Sequence, residues 1–183
     1  MDDEGSGYDI GRKALLAAAR AYDGRGPATL LLELIPAHFE LSDLEAVQEA
    51  LHAGPLSRAD VASLATLTAQ AASEQDAVTC AIFEAAGSAL AGMAIAIARR
   101  LSWSAPFVST VGGVFKAGVV ILNPFTRCLA QDLPEATLTP PRYPPVLGAV
   151  LLALQKGGYS LNQPILQHLD QALAQLKARE EDL

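Results

Sequence analysis

Two groups of residues in this chain of 183 amino acids have the types and spacing that ligand binding needs. The first is the carboxylate pair Asp3-Glu4, which is followed directly by Gly5, Ser6 and Gly7. Carboxylates accept hydrogen bonds from ligand hydroxyls, and glycines allow backbone N–H groups to face a ligand. An acidic tail followed by a helix cap is the structural alternative, and the spacing alone leaves it open.

The second group is Gly112-Gly113, which follows a short apolar segment predicted as a strand and precedes a helical stretch. Backbone without side chains at the carboxyl end of a strand is a common nucleotide-binding position in α/β proteins. An ordinary tight turn is the alternative explanation, and a glycine pair alone does not decide between the two.

Several other functions are not expected from the composition. The sequence contains no HExxH metal motif, no GxSxG elbow and no Walker A motif. Cys80 and Cys128 form no CxxC pair, so we expect neither a disulfide scaffold nor a cysteine-rich metal site, and a cytoplasmic location is predicted. The net charge is −7 and the largest basic cluster is Arg99-Arg100, so we do not expect nucleic-acid binding.

Three segments resemble the motifs of one family. Residues 3–12 resemble the G-D-E-G-S-G/A-Y-x-I-G motif of N-acetylglucosamine kinases, members of the BadF/BadG/BcrA/BcrD-type ATPases in the actin/hexokinase/Hsp70 superfamily. Residues 110–115 resemble that family's V-G-G-V-F segment, and residues 144–154 resemble its P-P-V-x-G-A-x-x-L-A-L helix. Because order and spacing also match, the similarity extends over nearly the whole chain.

The resemblance implies ATP-dependent phosphoryl transfer to a hydroxyl of an amino sugar, with ATP and Mg²⁺ as cofactors. It implies that Asp3 contacts the sugar, with Glu4 beside it, and that Gly112 and Gly113 lie against the adenosine. No residue of this chain corresponds to the family's catalytic base, and none is assigned as a metal ligand.

The sequence departs from the family pattern at its start. Asp2 stands where the motif has glycine, and Met1 falls inside the motif. The family's two phosphate loops, its catalytic aspartate and several strands would all precede this position. We therefore expect residues 1–183 to be the C-terminal portion of a sugar kinase, inactive without an N-terminal nucleotide-binding half. The expected partner is that half or a second copy of the chain.

Apolar periodicity defines the elements that must position these residues. Hydrophobic residues make up 51% of the chain, enough for a folded core. With the resemblance, the pattern predicts an α/β fold of the ribonuclease-H-like/actin-like ATPase type. Here it is truncated and mostly α, with seven or eight helices and two short strands. The predicted helices begin near residues 8, 28, 44, 58, 73, 123, 146 and 164, and the strands cover residues 107–111 and 136–139.

Capping and burial patterns predict further detail. Ser6 with Asp9, Ser42 with Glu45, and Ser57 with Asp60 are expected to cap helices. The helix that begins near residue 73 is expected to bury a stripe at 78, 82, 86, 90, 93 and 97. No segment is expected to span a membrane, because Glu84 interrupts the most apolar run.

Two alternative functions remain open at this stage. Some relatives are ATPases that activate 2-hydroxyacyl-CoA dehydratases or benzoyl-CoA reductases and bridge a [4Fe–4S] cluster through cysteines. Cys80 and Cys128 lie in apolar helical segments, so buried and inert thiols are the favoured interpretation. The other alternative is a non-catalytic helical interaction protein.

Overall fold

A computed structural model describes residues 3–181, with side chains described as far as residue 175. The chain divides into two compact units, Met1–Pro140 and Pro141–Leu183. The first unit contains α1 (Gly7–Tyr22), α2 (Leu31–His38), α3 (Leu44–Ala53), α4 (Arg58–Ser73), α5 (Ala77–Arg100), β1 (Phe107–Val108), a 3-10 helix (Gly113–Ala117), α6 (Val119–Asp132) and β2 (Thr137–Leu138). The second contains α7 (Pro145–Lys156) and α8 (Gln163–Glu181). Within the described residues, the predicted mostly α composition with two short strands is confirmed.

Two closely packed helix pairs organise the first unit: α1 lies against α4, and α5 lies against α6. Glycine permits both approaches. A Cβ at Gly11 of α1 would lie 1.8 Å from the Val61 carbonyl oxygen, and a Cβ at Gly87 of α5 would lie 2.7 Å from the Pro124 ring. Any larger side chain at either position would therefore force the helices apart.

The core of the first unit has two parts. The larger part lies among α1 to α5 and is centred on fully buried residues such as Ile10, Ile35 and Phe83. The smaller part lies between the second half of α5 and α6. Phe115 of the 3-10 helix and Phe125 of α6 meet edge to face there, with ring centroids 5.7 Å apart. The segment after Gly112 is thereby attached to α6.

The strands β1 and β2, which precede and follow α6 in the sequence, form a parallel pair. Phe107 is paired with Thr137 and Val108 with Leu138. The Thr137 N–H donates to the Pro106 carbonyl oxygen at 2.9 Å, and the Thr139 N–H donates to that of Val108 at 2.8 Å. Both strands are shorter than predicted. They and α6 form one strand–helix–strand unit in which the glycine pair follows the first strand.

The structure corrects two predicted helix starts. Asp43, not Ser42, caps α3, because its carboxylate accepts the Ala46 N–H at 2.8 Å. The predicted helix start at residue 123 is also wrong, since α6 begins at Val119 and continues through Pro124. The proline ring fills the space that Gly87 leaves, which gives this interior proline a favourable packing position. Ser57 and Asp60 form the predicted capping box at the start of α4.

Helix α5 differs from its prediction in two respects, its first residue and its buried face. It begins at Ala77, not near residue 73, and is capped by Asp76. Its buried face diverges from the predicted stripe, since Met93 and Ile97 are exposed while Ala91 and Ile95 are buried. The small residues Gly87 and Ala91 belong to the buried face of α5, whose main neighbour is α6, and this face turns Met93 and Ile97 towards the outside.

Helix α5 is also long and apolar enough to cross a bilayer by length and composition alone, despite Glu84. A core helix passes the same test, and eight residues of α5 are buried within the protein.

The second unit joins its helices through a polar contact. Arg142 and Tyr143 both hydrogen-bond to Asp170 of α8, each at 2.8 Å. None of the residues of α7 is buried, although the helix is apolar. Pro145 is the first residue of α7. At this position a backbone N–H would have no partner within the helix, so the proline costs no helical hydrogen bond.

Candidate functional site

The acidic loop before α1 is fixed by local hydrogen bonds. The Ser6 hydroxyl accepts the Asp9 N–H at 3.1 Å, which caps α1 as predicted. The Asp9 carboxylate does not return to Ser6 but accepts the Gly5 N–H at 3.1 Å. Gly5 has a φ of 76°, and a Cβ there would lie 2.7 Å from Leu90 Cγ. Gly5 is therefore the residue that allows this loop to lie directly on α5.

Asp9 is a buried carboxylate with two cationic partners. Lys13 Nζ lies 2.6 Å from one carboxylate oxygen, and the Arg12 guanidinium lies 3.4 Å from the other. Burial raises the pKa of Asp9. The hydrogen bonds from Lys13 and Gly5 and the charge of Lys13 together lower it by more than burial raises it, so the net pKa is below its ordinary value. Asp9 is consequently ionised at neutral pH and organises the loop that carries Asp3 and Glu4.

Asp3 and Glu4, the predicted sugar-binding residues, are both exposed. Together with Tyr8, Asp9, Arg12 and Lys13 they line a cavity of about 290 Å³. Asp3 forms an ion pair with Arg58, the first residue of α4, and the Arg58 guanidinium lies 3.6 Å from the centroid of the Tyr8 ring. The cavity thus offers carboxylate acceptors beside cationic donors, a lining suited to a polar ligand with several hydroxyl groups.

The predicted nucleotide-binding glycines lie at the start of the 3-10 helix. Gly112 precedes that helix with a φ of 121°, which side-chain-bearing residues rarely adopt, and Gly113 is its first residue. Gly113 lines a second cavity, of about 480 Å³, whereas Gly112 is not among its lining residues. The predicted arrangement of bare backbone after β1 is therefore present, and one of the two glycines faces a cavity.

The second cavity is mainly apolar. Small side chains of α4 form one wall, and Phe83 and the 3-10 helix contribute the others; the α4 residues are Ala62, Ala65, Thr66 and Ala69. Lys116 is the cationic residue of the lining. A cavity with apolar walls and one cation is suited to a flat apolar ring whose negatively charged substituent lies near the lysine.

The first turn of α1 contributes residues to both cavities. Gly7 lines the larger cavity, and the next residue, Tyr8, lines the smaller one. The first two turns of α4 serve both, since Arg58 contacts Asp3 while Ala62 and Ala65 line the larger cavity. Residues that are more than a hundred positions apart in the sequence are thus brought to neighbouring sites by the α1–α4 pair.

Mg²⁺ does not fit the described residues. They contain no group of three or more His, Cys, Asp or Glu side chains that could hold a metal ion. The acidic loop is unsuitable because Asp3 and Asp9 are already paired with cations. The thiols of Cys80 and Cys128 each contact a backbone carbonyl oxygen, that of Ala72 at 3.5 Å and that of Ser88 at 3.9 Å, which is the environment of half-buried structural cysteines.

The sequence did not predict the roles of two side chains, Asp9 in the lining of the smaller cavity and Arg58 in contact with that lining. Asp9 was interpreted only as a helix-capping residue, although Lys13 four positions later is a recognisable helical partner. Arg58 follows a predicted capping residue, but no sequence pattern relates it to Asp3, which is 55 positions away.

With this geometry in view, comparison with known sequences identifies the class of protein. The chain belongs to the BadF/BadG/BcrA/BcrD ATPase family, which it matches over residues 1–153. Membership implies an actin-like ATPase fold and confirms the family resemblance of the motifs.

A characterised relative makes the comparison more specific. The chain is similar to the N-acetylmuramic acid/N-acetylglucosamine kinase of Clostridium acetobutylicum, with 29% identity over 155 residues. The aligned segment covers 84% of this chain and 51% of that kinase, so the chain spans about half the length of this relative.

Proposed function

We propose that this chain is the C-terminal portion of an ATP-dependent amino-sugar kinase with a ribonuclease-H-like core. The observation that carries the proposal is the position of the two motif segments, which line neighbouring cavities at the first turn of α1. Membership of an ATPase family and similarity to a kinase that acts on amino sugars support it.

The larger cavity is the proposed adenosine site. Its alanine-rich α4 wall and Phe83 would contact the purine, and the absence of a side chain at Gly113 leaves room for the ring. Lys116, exposed at the same cavity, would lie close to a charged part of the nucleotide. ATP supplies the phosphoryl group when bound, while these residues bind and orient its nucleoside portion.

The smaller cavity is the proposed sugar site. Asp3 and Glu4 would accept hydrogen bonds from sugar hydroxyls, as the resemblance implies. The name of the Clostridium relative makes N-acetylglucosamine and N-acetylmuramic acid the first sugars to test.

Phosphoryl transfer by the proposed enzyme would require groups beyond these two cavities. The described residues contain no group of three or more His, Cys, Asp or Glu side chains that could hold a metal ion, and the family resemblance assigns no residue of this chain as the catalytic base. We therefore expect the isolated chain to bind each ligand weakly and to show no sugar-dependent ATP turnover, with a nucleotide-binding half as the necessary partner. Turnover in a coupled assay with the purified 183-residue chain would contradict this expectation.

Two-dimensional ¹H–¹⁵N NMR can test the adenosine site directly, because it detects weak and local binding. Titration with adenosine should shift the amide signals of Gly7, Thr66 and Gly113, and uridine at equal concentration should shift them less. Gly113→Leu should abolish the response by filling the cavity. Gly92→Leu is the matched control, because Gly92 is also a helical glycine with open space around it but does not line the cavity.

The alternatives give different outcomes. A non-catalytic interaction protein would show no localised adenosine response in the native chain. An iron–sulfur activator would yield iron and a brown colour on purification. The separate backbone contacts of Cys80 and Cys128 do not favour that alternative.

A further inference from the structure

Arg58 connects three features of the smaller cavity. Its guanidinium pairs with the Asp3 carboxylate and lies 3.6 Å from the centroid of the Tyr8 ring. Asp3 and Tyr8 both line the cavity, whereas Arg58 itself does not. Arg58 therefore lies outside the cavity lining and contacts two of the lining residues at once.

The backbone of Arg58 is held firmly in place. It is the first residue of α4, and the preceding capping box fixes that end of the helix. The Ser57 N–H donates to the Asp60 carboxylate at 2.7 Å, and the Asp60 N–H donates to the Ser57 hydroxyl at 3.3 Å. The Tyr8 ring beneath the guanidinium and the ion pair with Asp3 restrict the orientation of this 67% exposed side chain.

Asp3 lies in the loop before α1, outside any helix, and about half of its side chain is exposed. Without a partner, its carboxylate would be free to rotate among several positions. The proposed function requires it to meet a sugar hydroxyl in one of them. A residue that restricts this rotation reduces the conformational entropy that Asp3 loses when the sugar binds.

We propose that Arg58 is a positioning residue for the sugar site: it holds the Asp3 carboxylate over the cavity by engaging one oxygen and resting on Tyr8. The remaining acceptor positions of Asp3 stay available for a hydroxyl. This inference rests on the proposed function, because it assigns Arg58 a role in presenting Asp3 to the sugar.

The structure provides a matched control for the ion pair. Arg99 and Asp132 also form an exposed pair, with side-chain exposures of 64% and 42% against 67% and 49% for Arg58 and Asp3. Exposed pairs of this kind contribute little to stability. Arg58→Gln and Arg99→Gln should therefore unfold at nearly the same temperature, so that any difference in sugar affinity reports on the cavity.

The experiment is a titration of the ¹⁵N-labelled chain with N-acetylglucosamine, followed through the amides of residues 4–8. Arg58→Gln should weaken the sugar affinity by about three- to tenfold, the effect of releasing one immobilised side chain. Arg99→Gln should leave the affinity unchanged, and Arg58→Lys should recover only part of the loss. Tyr8→Leu, which removes the ring, should weaken binding in the same direction.

A double variant distinguishes positioning from an independent contact. If Arg58 acts through Asp3, then Asp3→Asn combined with Arg58→Gln should bind no more weakly than Asp3→Asn alone. Additive losses would overturn the inference, and so would equal affinity of Arg58→Gln and Arg99→Gln; both leave the proposed function intact. No response of the native chain to the sugar would overturn the sugar site and this inference together, whereas the adenosine titration tests the other cavity separately.

Discussion

The acidic loop and the glycine pair are both motif segments, but they are built in opposite ways. The loop depends on side-chain bonds: Ser6 caps α1, and Asp9 joins Gly5 to Lys13. The segment at Gly112 and Gly113 has no side-chain cap and is formed by bare backbone beside a cavity. The comparison teaches that the stability of the first region should depend on its polar bonds and on its close packing against α5, whereas the second region should tolerate a small side chain without loss of stability.

The largest expected effect is the difference in stability between adding a methyl group to the acidic loop and adding one at the glycine pair. Gly5→Ala should destabilise the protein by about 2–4 kcal/mol, because its φ is positive and its Cβ would clash with Leu90 and the Ala86 carbonyl oxygen. Gly113→Ala should change the free energy of unfolding by less than about 0.5 kcal/mol, since its Cβ would meet open space. Chemical denaturation measures both values. Equal costs at the two glycines would contradict the comparison.

The next effect concerns the buried carboxylate. Asp9→Asn should destabilise the protein by about 1.5–3 kcal/mol, because it removes charge-assisted bonds from Lys13 and weakens the bond from the Gly5 N–H. Asp23→Asn is the control, since it removes an exposed pair with Arg25 and should give no measurable change in urea denaturation. An Asp9→Asn protein as stable as the control would show that this carboxylate does not organise the loop.

The smallest effect is the pH dependence of that same contribution. The pKa of Asp9 is lower in the folded protein than its ordinary value of 3.8, so the unfolded state takes up the proton first as the pH falls. The stabilisation is therefore fully present above pH 3.8 and is lost as the pH falls through the folded pKa. The difference in unfolding free energy between the native protein and Asp9→Asn should be constant from pH 7 to 5 and should shrink below pH 3.8. A difference that grows in acid would contradict the assigned direction.

The sequence predicted those parts of the fold that depend on local signals. The Ser57–Asp60 box and the apolar spacing of α4 were sufficient because capping and periodicity act within one or two turns. The start of α6 was predicted wrongly because Pro124 is tolerated only through its contact with Gly87, a residue of another helix. The buried face of α5 was partly wrong for the same reason, since α6 determines which side is covered.

The candidate site shows the same division. Asp3, Glu4 and Gly113 could be identified because they belong to short motifs, and each lines a cavity. The contact between Arg58 and Asp3 could not be predicted, because it depends on how α1 crosses α4. That crossing is set by the absence of a side chain at Gly11, a cause far from either charge in the sequence.

The fit of Pro124 against Gly87 has a consequence for the strands. The Pro124 ring occupies the space beside Gly87, and this contact fixes the position of α6 along α5. Sliding α6 by one turn would drive the ring into a residue that carries a side chain. The strand β1 follows α5 and β2 follows α6, so the contact between Pro124 and Gly87 also fixes which residues of the two strands stand opposite each other. A single contact between two helices thus sets the alignment of the hydrogen-bonded pair from which the chain enters the glycine-lined cavity.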